Sequence, residues 1–224
     1  MASENDLLGP DGRDKDDATP DGEFYRQARM VAHIDDGAIA TLTSIYRELL
    51  TPLGPEAHVL DLMSSRYSHL PMDVELGEIA GLGMNAAELR ANPQLGAAVV
   101  QDLNANPRMP FPNAYFGAVV CAVSVQYLTK PVAVFREVAR ILRPTGPFCV
   151  AFSNRMFPTK AIRAWRERDD EGHIDLVTGY FAAAGGFDAP QVIRHAGVAA
   201  RWWGGGSDPL YAVIARKSAP DMVE

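Results

Sequence analysis

Three polar residues in this chain each close an apolar run. Asp61 lies at the end of HVLDL (58–62), Asn85 follows the run 76–82, and Asp102 follows 98–101. Runs of this length and composition read as buried strands, which places all three residues at strand ends. In open α/β sheets, ligands collect at the carboxyl ends of the strands. A carboxylate there accepts charge-assisted hydrogen bonds from amides or amines, and an asparagine both accepts and donates. The neighbours extend the pattern. Met63, Ser64, Ser65 and Arg66 follow Asp61, with two hydroxyl donors and a cation, and Leu103 follows Asp102. Ala122 and Val123 follow a fourth apolar run, 116–121. His33, His69 and His173 could act as general bases, because neutral imidazole is available at neutral pH. Of these, His69 sits just past the loop after Asp61, and it is paired with Tyr127 as the candidate for catalytic work. Tyr25, Tyr67, Gln126, Asn154 and Arg155 lie at strand ends or before the first long helix, where they could line a substrate pocket. The chain shows no His/Cys spacing for zinc and no carboxylate cluster that builds a metal site.

The elements that must hold these residues follow from periodicity. Ile39, Leu42, Ile45, Tyr46 and Leu49 recur at helical spacing over 36–50, with Asp35 or Asp36 as N-cap and Pro52, Gly54 and Pro55 as the stop. Five strands are expected at 58–62, 76–82, 98–101, 116–121 and 148–153, and two more at 191–194 and 210–215. A helix over 85–91 separates the second and third strands. Asn85 also suits the N-cap of that helix. The helix from Pro131 carries Val134, Phe135, Val138, Ile141 and Leu142 on one face and ends before Pro144–Thr145–Gly146. Helices are expected at 158–168 and 171–184, the latter ended by Gly185 and Gly186. Residues 24–34 read as a short helix plus a loop, and 64–71 as a loop or a short helix. Trp202 and Trp203, before Gly204–Gly206, suit edge packing or a hydrophobic lid.

The chain has 224 residues, 47% of them hydrophobic, which suits one α/β domain with a short extension. Its net charge of -7 is uneven. Residues 1–22 hold seven acids and two bases, -5 in all, which leaves -2 for the rest. That stretch has few apolar residues and several Gly and Pro, so it is expected to be a disordered acidic leader ahead of a domain at 23–224. The near-neutral body lacks the basic stripe of a nucleic-acid binder. There is no apolar stretch of transmembrane length and no basic start followed by an apolar run. Cys121 and Cys149 fall inside predicted strands, which suits buried, reduced thiols. A cytoplasmic protein is the expectation, and the oligomeric state is left open.

With this element order and these junction residues, the chain resembles the class I S-adenosylmethionine (SAM) dependent methyltransferases over roughly residues 56–154. Within that family it is most similar to the small-molecule branch that includes the ubiquinone and menaquinone C-methyltransferases. The residues that carry the likeness are Asp102, Met109–Pro110–Phe111, Phe116, Tyr127–Leu128 and Leu142–Arg143–Pro144–Thr145–Gly146. The resemblance implies a Rossmann-like α/β fold: a seven-stranded, mostly parallel sheet with helices on both faces and an antiparallel last strand. It implies SAM as cofactor and a small-molecule acceptor, and no nucleic-acid partner. Asp61 would anchor the loop and the cofactor's methionine part, with Met63, Ser64 and Ser65 beside it. Asn85 would meet the ribose hydroxyls, Asp102 and Leu103 the adenine, and Ala122 and Val123 the sulfonium methyl. Two departures stand out. The family's glycine-rich loop is absent, since 61–70 reads DLMSSRYSHL, although glycine there permits close backbone approach and positive φ. Gly117 stands where the family usually has Asp. The alternative is a methyltransferase-like protein that binds or regulates without catalysis. A nucleotide-dependent dehydrogenase is disfavoured, because no G-x-G-x-x-G follows the first strand.

Overall fold

The structure is a computed structural model that describes residues 3–197 and 207–219. The candidate lid at Trp202 and Trp203 lies outside the described residues. Seven strands form one sheet: β1 (Val59–Leu62), β2 (Ile79–Gly83), β3 (Ala97–Val100), β4 (Ala118–Ala122), β5 (Pro147–Phe152), β6 (Gln191–His195) and β7 (Leu210–Arg216). Their order is β3-β2-β1-β4-β5-β7-β6. Strands β1 to β5 pair in parallel, and β7 runs antiparallel between β5 and β6. The chain therefore steps outward from β1 to β3, returns to β4 beside β1, and continues in the other direction. The resulting switch point opens a crevice at the carboxyl ends of β1 and β4. The expected α/β architecture is the one observed.

Alternation along the strands sorts side chains to two faces. Leu60, Val119, Cys121, Phe148, Val150 and Phe152 join one buried cluster with α5 (Pro131–Ile141) and α7 (Asp170–Ala184). Val59, Ala118, Val120, Cys149 and Ala151 join a second with α3 (Asp36–Leu50). Helix starts follow local chemistry. Asp35 caps α3 by accepting from the Ala38 N–H at 2.8 Å, and Pro131 occupies the first turn of α5. Both cysteines are buried free thiols, and burial pushes the Cys121 thiol up to about 12.

The structure differs from the sequence reading in three places. Residues 3–22 are ordered against the body. α1 (Glu4–Leu8) is held by a Ser3–Asp6 capping box and buries Leu8, and Glu4 accepts from the Val132 N–H at the start of α5 at 2.8 Å. The composition of this stretch suggests solvation, but its acids have specific bases to meet: Asp11 pairs with Arg163, Asp16 with Arg166, and Asp17 with Lys160. The helix expected over 158–168 shrinks to α6 (Arg163–Arg166). Its preceding backbone bonds elsewhere: the Thr159 carbonyl accepts from Asp17 N–H, and the Ile162 N–H donates to the Gln126 carbonyl. Lys160, fully buried, donates to the Asp17 and Thr19 carbonyls, which ties this turn to the leader. Finally, the helix expected within 24–34 is reduced to one turn, α2 (Asp21–Phe24). The Tyr25 and Arg26 carbonyls that would extend it accept instead from the Asn85 side chain. Residues 63–78, which connect β1 to β2, are a loop.

Candidate active site

A cavity of about 340 Å³ lies at the carboxyl ends of β1, β2, β3 and β4. Its volume falls at the lower end of the range for small-molecule and cofactor pockets. Every residue expected from sequence to hold a cofactor lines it: Asp61, Met63, Ser64, Ser65, Asn85, Asp102, Leu103, Ala122 and Val123. So do the two catalytic candidates, His69 and Tyr127. Tyr25, His33, Tyr67 and Arg155 line it as well. Three expectations do not come together there. His173 lies on α7 and is buried, stacked on Trp165 at 4.0 Å. Gln126 is buried and donates to the Val123 carbonyl, and Asn154 is exposed.

The glycine-free loop is built from inward hydrogen bonds. Asp61 is 3% exposed, and its Oδ2 accepts from Ser64 Oγ at 2.5 Å and Ser68 Oγ at 2.7 Å. Burial pushes its carboxyl up to about 7, against the two hydroxyls, which lower it. Asn92 Nδ2 donates to Ser68 Oγ and to the Ser65 carbonyl, and Ser65 Oγ donates to Glu88 Oε2 at 2.5 Å. The hydroxyls expected to reach a ligand are thus already bonded to carboxylates. Met63 supplies the left-handed turn that a glycine would otherwise take, with φ at 58°. His69 and Val123 are also left-handed, at 56° and 48°. For a β-branched residue such as Val123 that conformation is a genuine outlier. Three such residues around one cavity fit the general clustering of backbone strain at functional sites.

At the end of β2, Asn85 caps α4 (Ala86–Ala91), as the sequence alternative allowed. Its Oδ1 accepts from the Ala87 and Glu88 N–H groups, and its Nδ2 donates to the Tyr25 and Arg26 carbonyls. At the end of β3, Asp102 Oδ1 accepts from the Asn104 and Ala105 N–H groups at 2.8 and 3.3 Å, and Leu103 is buried beside it. At the end of β4, Tyr127 is buried, with its hydroxyl accepting from the Phe157 N–H at 2.8 Å and its ring stacked on Phe157. Burial raises the Tyr127 pKa, so the phenol keeps its proton at neutral pH. Burial also pushes His69 down to about 4, with the His33 imidazole adding to the effect, so His69 is neutral.

The segment between α2 and α3 roofs the cavity. From it Arg29 and His33 meet Phe157, which lies beyond β5, and Tyr25 packs edge-on against Tyr127. The Arg29 guanidinium lies 4.5 Å from the Phe24 ring centroid and 5.1 Å from that of Phe157. Sequence reasoning missed Arg29, Phe157 and Glu88. Glu88 is 8% exposed and joins the roof segment to the loop, since its Oε1 accepts from the Arg29 N–H at 2.6 Å while Oε2 takes Ser65. An acid in a first helical turn normally reads as a partner of the helix dipole, so its spacing carried no other signal. Among the described residues, no group of three or more His, Cys, Asp or Glu is placed to hold a metal, and no helix is long and apolar enough to cross a membrane.

A sheet in the order 3-2-1-4-5-7-6, with a pocket across its switch point, defines the class I methyltransferase fold. A family model described as a methyltransferase domain matches residues 60–150. Solved structures share the fold at low identity. The [4+2]-cyclase SpnF is 16% identical with a TM-score of 0.58, covering 88% of this chain and 87% of its own. A SAM-dependent methyltransferase from Archaeoglobus fulgidus is 12% identical with a TM-score of 0.54, covering 80% and 94%. A SAM-dependent methyltransferase from Mesorhizobium loti is 16% identical with a TM-score of 0.52, covering 81% and 99%. No curated protein matches the chain in sequence. Domain and fold together support a SAM-dependent methyltransferase, and the cofactor they imply is SAM.

The cavity suits that cofactor. SAM carries an ammonium and a sulfonium, and Asp61, Glu88 and Asp102 line the space with carboxylates. Leu103 adds an apolar contact for a flat base. Asp21, a fourth acid on the wall, is already paired with Lys15 at 2.6 Å.

Proposed function

We propose that this protein methylates a small-molecule acceptor bound under the segment that carries Tyr25, Arg29 and His33, beside SAM held along the ends of β1 to β4. The observation that carries the reading is the single cavity that gathers the residues following four successive strands and encloses them beneath Tyr25, Arg29 and Phe157. Bound SAM supplies an electrophilic methyl group on a positively charged sulfur. Asp61 and the Ser64–Ser65 loop would hold its methionine end, and Asp102 with Leu103 its base. The protein's own share is alignment and exclusion of water. Orientation of reactants accounts for much of the rate in such displacements, and an enclosed chamber walled by Tyr25, Tyr127 and Phe157 restricts how an acceptor can lie. An imidazole nitrogen of neutral His69 can take a proton from an acceptor that must lose one. Tyr127 keeps its proton and serves as a wall and a donor. The small chamber fits a small molecule, and the resemblance of Met109–Pro110–Phe111 and Leu142–Gly146 to the ubiquinone and menaquinone branch points the same way.

Calorimetric titration with SAM and with its demethylated product, S-adenosylhomocysteine, tests the reading. Saturable one-to-one binding that weakens in Asp102→Ala supports it, and absence of binding by both compounds at millimolar concentration removes it. A second reading is a pocket that binds without transferring methyl groups. It is favoured by the inward-bonded loop hydroxyls and by the appearance of this fold in a protein named as a [4+2]-cyclase. Binding of S-adenosylhomocysteine with no transfer from labelled SAM across a panel of small acceptors would select it.

A further inference from the structure

An adenosyl group presents a vicinal diol, two hydroxyl donors that need acceptors at the β2 side of the cavity. The residues at that end are constrained. Gly83 closes β2, and a Cβ there would collide with the Ser64 carbonyl, so this position admits no carboxylate. Asn85 has both its oxygen and its nitrogen committed, to the first turn of α4 and to the Tyr25 and Arg26 carbonyls. Glu88 is the carboxylate that lines the cavity from α4. It is buried, and each of its oxygens accepts one hydrogen bond. A carboxylate has about four acceptor sites, so capacity for two further donors remains.

We infer that Glu88 is the residue that receives the ribose hydroxyls of the cofactor, a role displaced from the end of β2 onto the first turn of α4. The inference rests on the proposed SAM site. Glu88 also joins the Arg29 N–H to Ser65 Oγ, so diol binding reaches both the roof and the cofactor loop through one side chain. The loop hydroxyl and the roof amide orient the carboxylate before the ligand arrives, which reduces the ordering cost of binding.

The test compares S-adenosylhomocysteine with its 2′,3′-dideoxyribosyl analogue by calorimetry, on the wild type and on Glu88→Gln. Wild type is expected to prefer the hydroxylated compound by roughly tenfold or more, the scale of one charge-assisted hydrogen bond. Glu88→Gln is expected to reduce that preference toward unity while binding the analogue within about threefold of wild type. A purely structural Glu88 would weaken both compounds equally, and that result overturns the inference, as does a wild type that does not distinguish them. A wild type that binds neither compound removes the cofactor reading itself. A crystal structure of the wild-type complex gives a measurement independent of any variant's folding. Ribose oxygens in hydrogen-bond contact with Glu88 support the assignment, and their bonding to other residues overturns it.

Discussion

Asp61→Asn separates the electrostatic cost of the buried carboxylate from everything else in the site. Asp61 is essentially sealed from solvent, and its carboxyl is pushed from 3.8 up to about 7 by burial. At ~1.4 kcal/mol for each tenfold change in proton affinity, ionised Asp61 costs the fold on the order of 4 kcal/mol. The sign follows from proton counting. Between about pH 4 and pH 7 the folded state holds a proton that the unfolded chain has lost, so stability falls as pH rises through this window. Below it the penalty is absent, and above about pH 7 it is complete. Asparagine keeps an oxygen for Ser64 and Ser68 and cannot ionise. Its buried amide nitrogen adds a cost of about 1–3 kcal/mol, but that cost is the same at every pH. The stability difference between variant and wild type should therefore move by about 3 kcal/mol in the variant's favour from about pH 4.5 to about pH 8. For a chain of this size that is a change of roughly 6–12 °C in the difference between melting temperatures. Urea titrations at the two pH values measure it, and groups that titrate in both proteins cancel. Parallel pH curves for the two proteins would refute the claim that Asp61 is a desolvated, titrating acid. A ligand that sets an ammonium beside Asp61 adds a second signature, because it relieves the penalty: through its amino group, S-adenosylhomocysteine should raise the wild-type melting temperature more at about pH 8 than at about pH 6, and this pH dependence should vanish in Asp61→Asn.

Further outcomes follow from other parts of the site. His69→Asn suits the left-handed backbone at that position. If the acceptor must lose a proton, this variant should lower kcat by about 10²–10⁴-fold while S-adenosylhomocysteine binds within about threefold of wild type. A kcat retained within about threefold would remove His69 from the chemistry. Because burial holds His69 near pKa 4, its neutral form is complete well below neutral pH, and a rate limb between about pH 6 and pH 7 must come from another group. Lys160→Met removes the buried cation that fastens Asp17 and Thr19. It should cost about 3 kcal/mol, visible as a lower melting temperature and faster proteolysis within residues 11–21. Unchanged proteolysis would mean that Lys160 is not what pins the leader.

The centre of the sheet was legible because β1, β4 and β5 are buried on both faces along nearly their whole length. Continuous apolar runs marked β1 through β5 to within about three residues at either end, and the polar residue after each run located the cavity edge. What the runs could not show was which partner each polar group would take. Asn85 was readable as a ribose contact or as a helix cap; in the fold its oxygen caps Ala87 and Glu88, and the Tyr25 and Arg26 carbonyls take its nitrogen. The leader was misread for a related reason. Its acidic composition is the signature of a solvated segment, yet Lys160, Arg163 and Arg166 lie over 140 residues away and become its partners only once the sheet has formed. Arg29 and His33 therefore reach the site through tertiary contacts that no local pattern encodes.

The missing glycines and the bare end of β2 at Gly83 have one structural origin. Without glycine, the loop after β1 turns on left-handed Met63, and Ser64 then lies directly on β2, its N–H donating to the Leu82 carbonyl at 2.8 Å. That close approach is what forbids a side chain at Gly83. The same loop presents Ser65 to Glu88 and Ser68 to Asp61 and Asn92. The three serine hydroxyls of the turn are thus paired with Glu88, Asp61 and Asn92, whereas Arg66 Nη1 is buried without a hydrogen-bond partner among the described residues. Substituting glycines at 63–65 would consequently not simply open the turn. It would remove the hydroxyls that orient Asp61 and Glu88, and the cavity would lose the placement of two carboxylates together with the bulk of the turn.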